Sequence, residues 1–339
     1  MKPATGLLAL ALAVLAAPQW VTQTSGVTAS LRGISAIDDS VAWASGSGST
    51  VLRTADGGAT WPPLTVTADK VDFRDVDAID ARIAYALSIG NGPSSRIYKT
   101  VDQGQTWTLQ YTNQDPKGFL DAMAFWDAST GVVVGDSVDG TFSILLTSDG
   151  GRTWRPVPPT GLPAASPNEG AFAASGSNVT VNGNHVWFGT GAAAKSRVLH
   201  SADRGRTWTV ADTPLKAGGS AGIFSIAFRD ATHGIVIGGD YSKEAEHEDN
   251  VAITSDGGAT WTLIKDRGLS GFRSVVKHVP GSKTSWIAVG PQGSDWSDDD
   301  GRTWTPVAGP GFHTFSFAKS GSRGWGAGAK GAIGRLDFK

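Results

Sequence analysis

The sequence predicts an all-β fold: one seven-bladed β-propeller of four-stranded antiparallel blades. Three observations predict it. An eight-residue frame, [Ser/Thr]-x-Asp-x-Gly-x-Thr-Trp, occurs six times, at 54–61, 100–107, 147–154, 201–208, 254–261 and 297–304. Its aspartates (Asp56, Asp102, Asp149, Asp203, Asp256, Asp299) lie 43 to 54 residues apart, a period that belongs to propellers and solenoids. Between frames three short β-type runs recur, so each repeat holds four strands, as a blade does. Finally, the two chain ends complement each other. Runs at 312–318, 324–328 and 332–338 give three strands of a last blade. Residues 19–24, with Trp20 where a frame Trp would stand, give its fourth. Pairing the two ends closes the ring and removes the open sheet edges of a linear array.

The elements follow in order. Residues 1–17 read as a signal peptide: Lys2, a Leu/Ala run from Leu7 to Ala17, then Pro18. The run suits a signal h-region and is too short to span a bilayer. Export to the periplasm or medium is therefore expected, with residues 18–339 as one propeller domain and a monomer as the product. The first blade reads 30–36, 41–45, 50–53 and then the frame; the second reads 73–78, 83–87 and 96–99. Second strands recur as Gly131-Val-Val-Val-Gly135, Gly234-Ile-Val-Ile-Gly238 and Trp286-Ile-Ala-Val-Gly290.

Composition agrees. Glycine is abundant, at 45 of 339 residues, and of 31 acidic residues only Glu169, Glu244, Glu246 and Glu248 are glutamate. That balance disfavours helix and favours short strands joined by tight turns. A net charge of −2 leaves no broad footprint for nucleic acid. With no cysteine, a disulfide framework, a thiolate metal site and a Cys nucleophile are all excluded.

Within the frame, the Asp carboxylate is placed to accept backbone N–H groups of its own turn, Gly supplies positive φ, and Trp enters the next strand as an apolar anchor. A calcium loop would need further oxygen ligands and a closing Glu, which none of the copies has. The frames are therefore read as structural, and no metal or cofactor is expected.

Two repeats are long. The extra residues fall at 158–170, before the first strand of blade four, and at 238–250, between the second and third strands of blade five. Connections of these kinds emerge on the face opposite the frames, so both insertions crowd one sector of one rim. Aligning the innermost strands gives one register position held by Arg32, Arg74, Asp121, Phe172, Phe224, Arg273 and His313. Such a ring focuses positive potential at a channel mouth and suits an anionic ligand or partner segment. Asp240 and Tyr241 join it from the blade-five insertion. The bland alternative pairs each Arg with a nearby Asp such as Asp75 or Asp121. For an enzyme, Glu169 and Asp121 are the candidate acid and base, with Asp136 and Asp139 on the same face. The six histidines show no metal-binding spacing.

The frame resembles the Asp-box, or bacterial neuraminidase repeat. With the Phe73-Arg-Asp-Val76 type of strand and the closing Trp20 segment, the whole mature chain resembles the photosystem II stability/assembly factor family of seven-bladed propellers. That resemblance implies a non-catalytic role, binding a partner protein during membrane-complex assembly through arginines on one face, to which Arg32, Arg74 and Arg273 correspond. The chain departs from the cyanobacterial pattern in lacking a lipid-anchor Cys. Sialidases resemble it in the frames only: there is no Arg-Ile-Pro motif, and Tyr85, Tyr98, Tyr111 and Tyr241 lack an obvious Glu partner. A sialidase-like glycosidase, a polysaccharide lyase or a sugar-binding propeller remains the alternative.

Overall fold

The Asp-x-Gly-x-Thr turn is built alike in all six copies of the computed structural model, which describes residues 18–338. The signal segment expected at 1–17 lies outside the described residues. In the third copy, the Thr147 hydroxyl donates to Asp149 Oδ1 at 3.0 Å and accepts the Gly151 N–H at 2.9 Å. Asp149 in turn accepts the Thr153 N–H at 2.9 Å and its hydroxyl at 2.7 Å. Gly150 and Gly151 take φ of 71° and 81°, values that a Cβ disfavours. A reciprocal set like this leaves few orphan donors in the turn.

The chain forms seven four-stranded antiparallel sheets, and these turns join the third and fourth strands of six of them. In blade one the strands are Leu31–Ala36, Ala42–Gly46, Thr50–Thr54 and Pro63–Leu64. The innermost strands that follow are Asp72–Ala78, Leu120–Phe125, Val179–Asn182, Ala221–Phe228, Val275–His278 and Thr314–Phe317. Each packs on the innermost strand of both neighbours, right round the ring. The ring closes as expected from the chain ends. Gln19–Thr24 pairs antiparallel with Ala332–Asp337, in register from Gln19 opposite Asp337 to Thr24 opposite Ala332.

The core is divided the same way, into one apolar cluster for each of the seven blade interfaces. Each frame Trp enters the interface between its own blade and the one before. Trp61 joins the cluster between blades seven and one, Trp154 that between two and three, Trp304 that between five and six. Trp20 does the same between blades six and seven, 4.6 Å from Phe312 and 5.6 Å from Phe315. Gln23 then ties the closing blade to the first. Its amide donates to Gly57 O, and its oxygen accepts the indole N–H of both Trp61 and Trp325.

Two outcomes are expected. Deleting residues 19–24 lowers the melting temperature sharply, because it exposes a strand edge and empties the Trp20 site; an unchanged melt would disprove closure. Thr147→Val keeps the shape but strands the buried Gly151 N–H, costing about 1–3 kcal/mol by denaturant titration. The pH dependence has a definite sign. The Thr153 N–H and then its hydroxyl hold the Asp149 carboxyl down at about 2, and Thr60 does the same for Asp56. Folded values below the ordinary one stabilise at neutral pH, and that stability disappears as pH falls from about 4 towards 2. Calcium is expected to leave the melt unchanged.

Candidate functional site

Four of the seven innermost strands carry a β-bulge at the same place. The pairing shifts between Leu31 and Gly33, Phe73 and Asp75, Leu120 and Ala122, and Ile223 and Ser225. The residue skipped in each case is Arg32, Arg74, Asp121 or Phe224. A bulge leaves its extra residue out of the ladder and re-aims its side chain. All four line one cavity of about 410 Å³ at the mouth of the central channel. His313, just before the first strand of blade seven, joins them.

The cavity opens opposite the frame turns. Its walls come from the beginnings of first strands and the ends of second strands, whereas the turns follow third strands. The blade-five insertion reaches it as expected, with Tyr241 and Glu244; no residue of the blade-four insertion at 158–170 lines it, and blade four contributes the stretch that follows, Ala171 to Ala174. Phe172 and Phe224 stack face to face, with centroids 4.1 Å apart and planes 7° off parallel. Tyr241 stands edge-on to both at 6.0 Å and is half exposed.

Phe172 is not where the register placed it. The first strand of blade four starts only at Val179, and residues 171–178 instead cross the channel as a plug. Side chains from other blades hold this segment. Asp136 accepts the Ala171 N–H at 2.8 Å, and Arg74 Nη1 donates to Ala173 O at 3.1 Å. Ser175 donates to Ser274 O at 2.7 Å, and Thr314 donates to Ser175 O at 3.0 Å. Small residues are needed here: a Cβ on Gly176 would collide with the Asp75 carboxylate. The plug makes the floor of the cavity.

Electrostatics differ around the wall. Among the described residues, Arg32 is held only by Ser30, through Nε at 3.3 Å. Burial, and then the Arg74 guanidinium, lower its pKa from the usual value. Arg74 pairs with Asp72 at 3.1 Å. His313 is pushed down to about 4, first by burial and then by Arg32. At neutral pH it is therefore uncharged, and Nδ1 donates to Leu31 O at 3.2 Å. Across the cavity, burial and then Asp136 raise Asp121 well above the carboxylate range, and burial raises Asp136 too.

Two expected site residues lie elsewhere. Arg273 is buried away from the cavity, with Nε on Asp295 at 2.8 Å, Nη1 on Phe272 O at 2.9 Å and Nη2 on Ser270 at 2.6 Å. Its strand begins at Val275 and has no bulge to turn it inward. The pairing alternative weighed for the arginines is the one that applies to this residue. Glu169, the candidate acid, is fully buried against Arg197, whose Nε lies 2.9 Å from Oε1, and it also accepts the Thr190 hydroxyl. It anchors the blade-four insertion and has no access to a ligand. Asp240 caps its own turn through Ser242, beside rather than within the cavity lining. Conversely, register reasoning missed Glu244 and Phe272 as lining residues, because neither the blade-five loop nor the lead-in to blade six gives a periodic signal. Among the described residues, no three His, Cys, Asp or Glu side chains converge to hold a metal ion. No helix among them is long and apolar enough to cross a membrane.

Fold and site together define a seven-bladed propeller with an arginine, carboxylate and aromatic cavity at one channel mouth. The sequence matches no family model and no curated protein. Solved structures share the fold. A YCF48 protein bound to a D1 peptide superposes with TM-score 0.66 at 19% identity, covering 94% of this chain and 97% of that one. YCF48 from Cyanidioschyzon merolae gives 0.67 at 17%, covering 95% and 99%. A GH74 enzyme from Niastella koreensis gives 0.62 at 16%, covering 92% of this chain and 53% of that one. The likeness to YCF48, a photosystem II assembly factor, agrees with the resemblance drawn from the sequence at the level of fold.

Glu169→Ala is expected to destabilise by about 3–5 kcal/mol, since it leaves the Arg197 guanidinium without its buried partner. Chemical denaturation measures this. A variant as stable as the parent would show that Glu169 has no anchoring role.

Proposed function

We propose that the protein is an exported, non-catalytic binding scaffold that seizes a carboxylate-bearing peptide segment of a partner protein in the channel-mouth cavity. The observation that carries this reading is the placement, by backbone bulges, of Arg32 and Arg74 beside an aromatic wall. Guanidinium groups recognise carboxylates through directed N–H donors, and the Phe172 and Phe224 rings supply apolar area for a neighbouring side chain. The propeller solved with a D1 peptide supports a peptide as the class of ligand. Export rests on residues 1–17 and is tested by locating the mature N-terminus in fractionated cells.

A second reading has its own observation. Asp121 and Asp136 share the cavity, a raised carboxylic acid beside another carboxylate is the equipment of a glycosidase, and a GH74 enzyme shares the fold. Glu169, being sequestered, plays no part in that version.

One experiment separates them. Fluorescence anisotropy with a peptide library is expected to find binders whose affinity falls at least about tenfold in the Arg32→Ala variant, which leaves the Arg74 bond to the plug intact, with little change in melting temperature. Turnover of any glycan, abolished by Asp121→Asn, would overturn the scaffold reading.

A further inference from the structure

A second cavity lies on the frame face of the ring. It holds about 230 Å³ between blades five and six, walled by the third and fourth strands of blade five, Val251–Thr254 and Thr262–Leu263, with Asp300 and Arg302 of the next frame opposite. The repeat explains why it is open. In blades one and two the residue just before the frame is long and basic and reaches the following blade: Arg53 Nη2 donates to Ala81 O at 3.0 Å, and Lys99 Nζ to Gly150 O at 2.7 Å. Blade five has Ile253 at this position, which packs against Gly301 and carries no polar end. The groove it borders is left unfilled.

The acceptors around this cavity are spent. Asp300 accepts Arg229 Nε at 3.1 Å and the Trp286 indole N–H at 2.9 Å on Oδ1, and Arg229 Nη2 at 3.0 Å on Oδ2. Asp256, in the adjoining frame, accepts the Thr254 hydroxyl and both Thr260 donors. The donors are not spent. Among the described residues, Arg302 uses Nη1 alone, on Asp299 O at 2.9 Å, and the Ser255 and Thr262 hydroxyls have no protein partner. His233 commits Nδ1 to Asp230 and Thr232, which leaves Nε2. Arg302 and His233 belong to different blades, so the free donors stand on both sides of the gap.

We propose that this cavity binds a tetrahedral oxyanion, the phosphate or sulfate group of a small ester, between Arg302 and His233, with the Ser255 and Thr262 hydroxyls completing its hydrogen bonds. A ligand that answers unpaired donors must itself accept, and a guanidinium among them favours one with negative charge. A planar carboxylate is matched by a single guanidinium fork, whereas these donors come from several directions and suit oxygens arranged in a tetrahedron. Asp300 does not oppose the anion, because the Arg229 guanidinium already pairs with it. The site shares no residue with the channel-mouth cavity and is independent of the peptide-binding reading.

The test is titration calorimetry on the whole protein at fixed ionic strength, with glucose 6-phosphate and glucose 6-sulfate as probes and glucose and chloride as controls. It is run in the Arg32→Ala background, so that the under-satisfied cation of the channel mouth takes no part. Saturable binding of at least one ester is expected, with none for glucose or chloride, and the ratio of the two ester affinities names the source of the group. Adding Arg302→Ala is expected to weaken binding at least about tenfold, as the loss of hydrogen bonds from a charged donor requires. Arg302 is exposed and holds only its own frame, so the fold is expected to survive, with an unchanged melt as the check. Thr262→Val provides a second variant, expected to weaken binding without altering charge. If neither ester binds saturably, or if binding is the same with and without Arg302, the oxyanion site is overturned while the peptide-binding reading stands.

Discussion

The ring depends on one exchange of hydrogen bonds. A Thr or Ser hydroxyl gives its proton to the frame Asp and takes the N–H of the second residue after that Asp, in all six frames. This fixes a turn whose backbone carbonyls face outward to the preceding blade. Gly57 O takes a donor from Gln23, Gly150 O from Tyr85, and Gly257 O from Trp187. The Trp that ends the frame then wedges into the same interface. One local device therefore shapes a blade and docks it to its neighbour, and blade seven, which lacks a frame, borrows Trp20 and Gln23 for both tasks.

Because cohesion is concentrated on the frame face, the opposite rim is free to vary. Two constraints still shape it. Bulges in four innermost strands swing one residue each out of the ladder towards the channel. The plug at 171–178 stops the channel below them and turns an open bore into a closed cup. Loss of ladder hydrogen bonds in the plug is compensated by the Asp136, Arg74, Ser175 and Thr314 side chains. Residues that look like ligands in a sequence are partly spent on this support.

The fold was legible because its determinants are local and repeated. A turn motif with fixed spacing reports its own position, and the orphan Trp20 segment could be matched to the incomplete last blade. The site was legible where the repeat holds. Arg32, Arg74, Asp121 and Phe224 share a register because they share a bulge, which the alignment captured without revealing it. Legibility ends where long-range pairing takes over. Asp295, on the third strand of its blade, captures Arg273, and Arg197 captures Glu169 from 28 residues away. Phe172 reached the cavity by a different backbone path, since no pattern in the run of alanines, serines and glycine distinguishes a plug from a strand.

The two cavity arginines are unequal in the partners the protein gives them. Arg74 already has its Nε on a carboxylate and one terminal nitrogen on the plug. Its charge is largely answered, and its position is set. Arg32 has a single hydroxyl partner, sits partly buried, and feels Arg74 as a like charge. A counter-charge would be worth more to Arg32 than to Arg74, because an unpaired guanidinium in a poorly solvated wall keeps the full cost of its desolvation. Glu244, which attracts Arg32 from the blade-five loop, is itself held by Gln292 at the rim. An incoming carboxylate that bridges the arginines meets a fixed donor array on one side and an under-satisfied cation on the other. In the proposed peptide-binding role, Arg74 would chiefly orient a carboxylate, while Arg32 would supply most of the attraction.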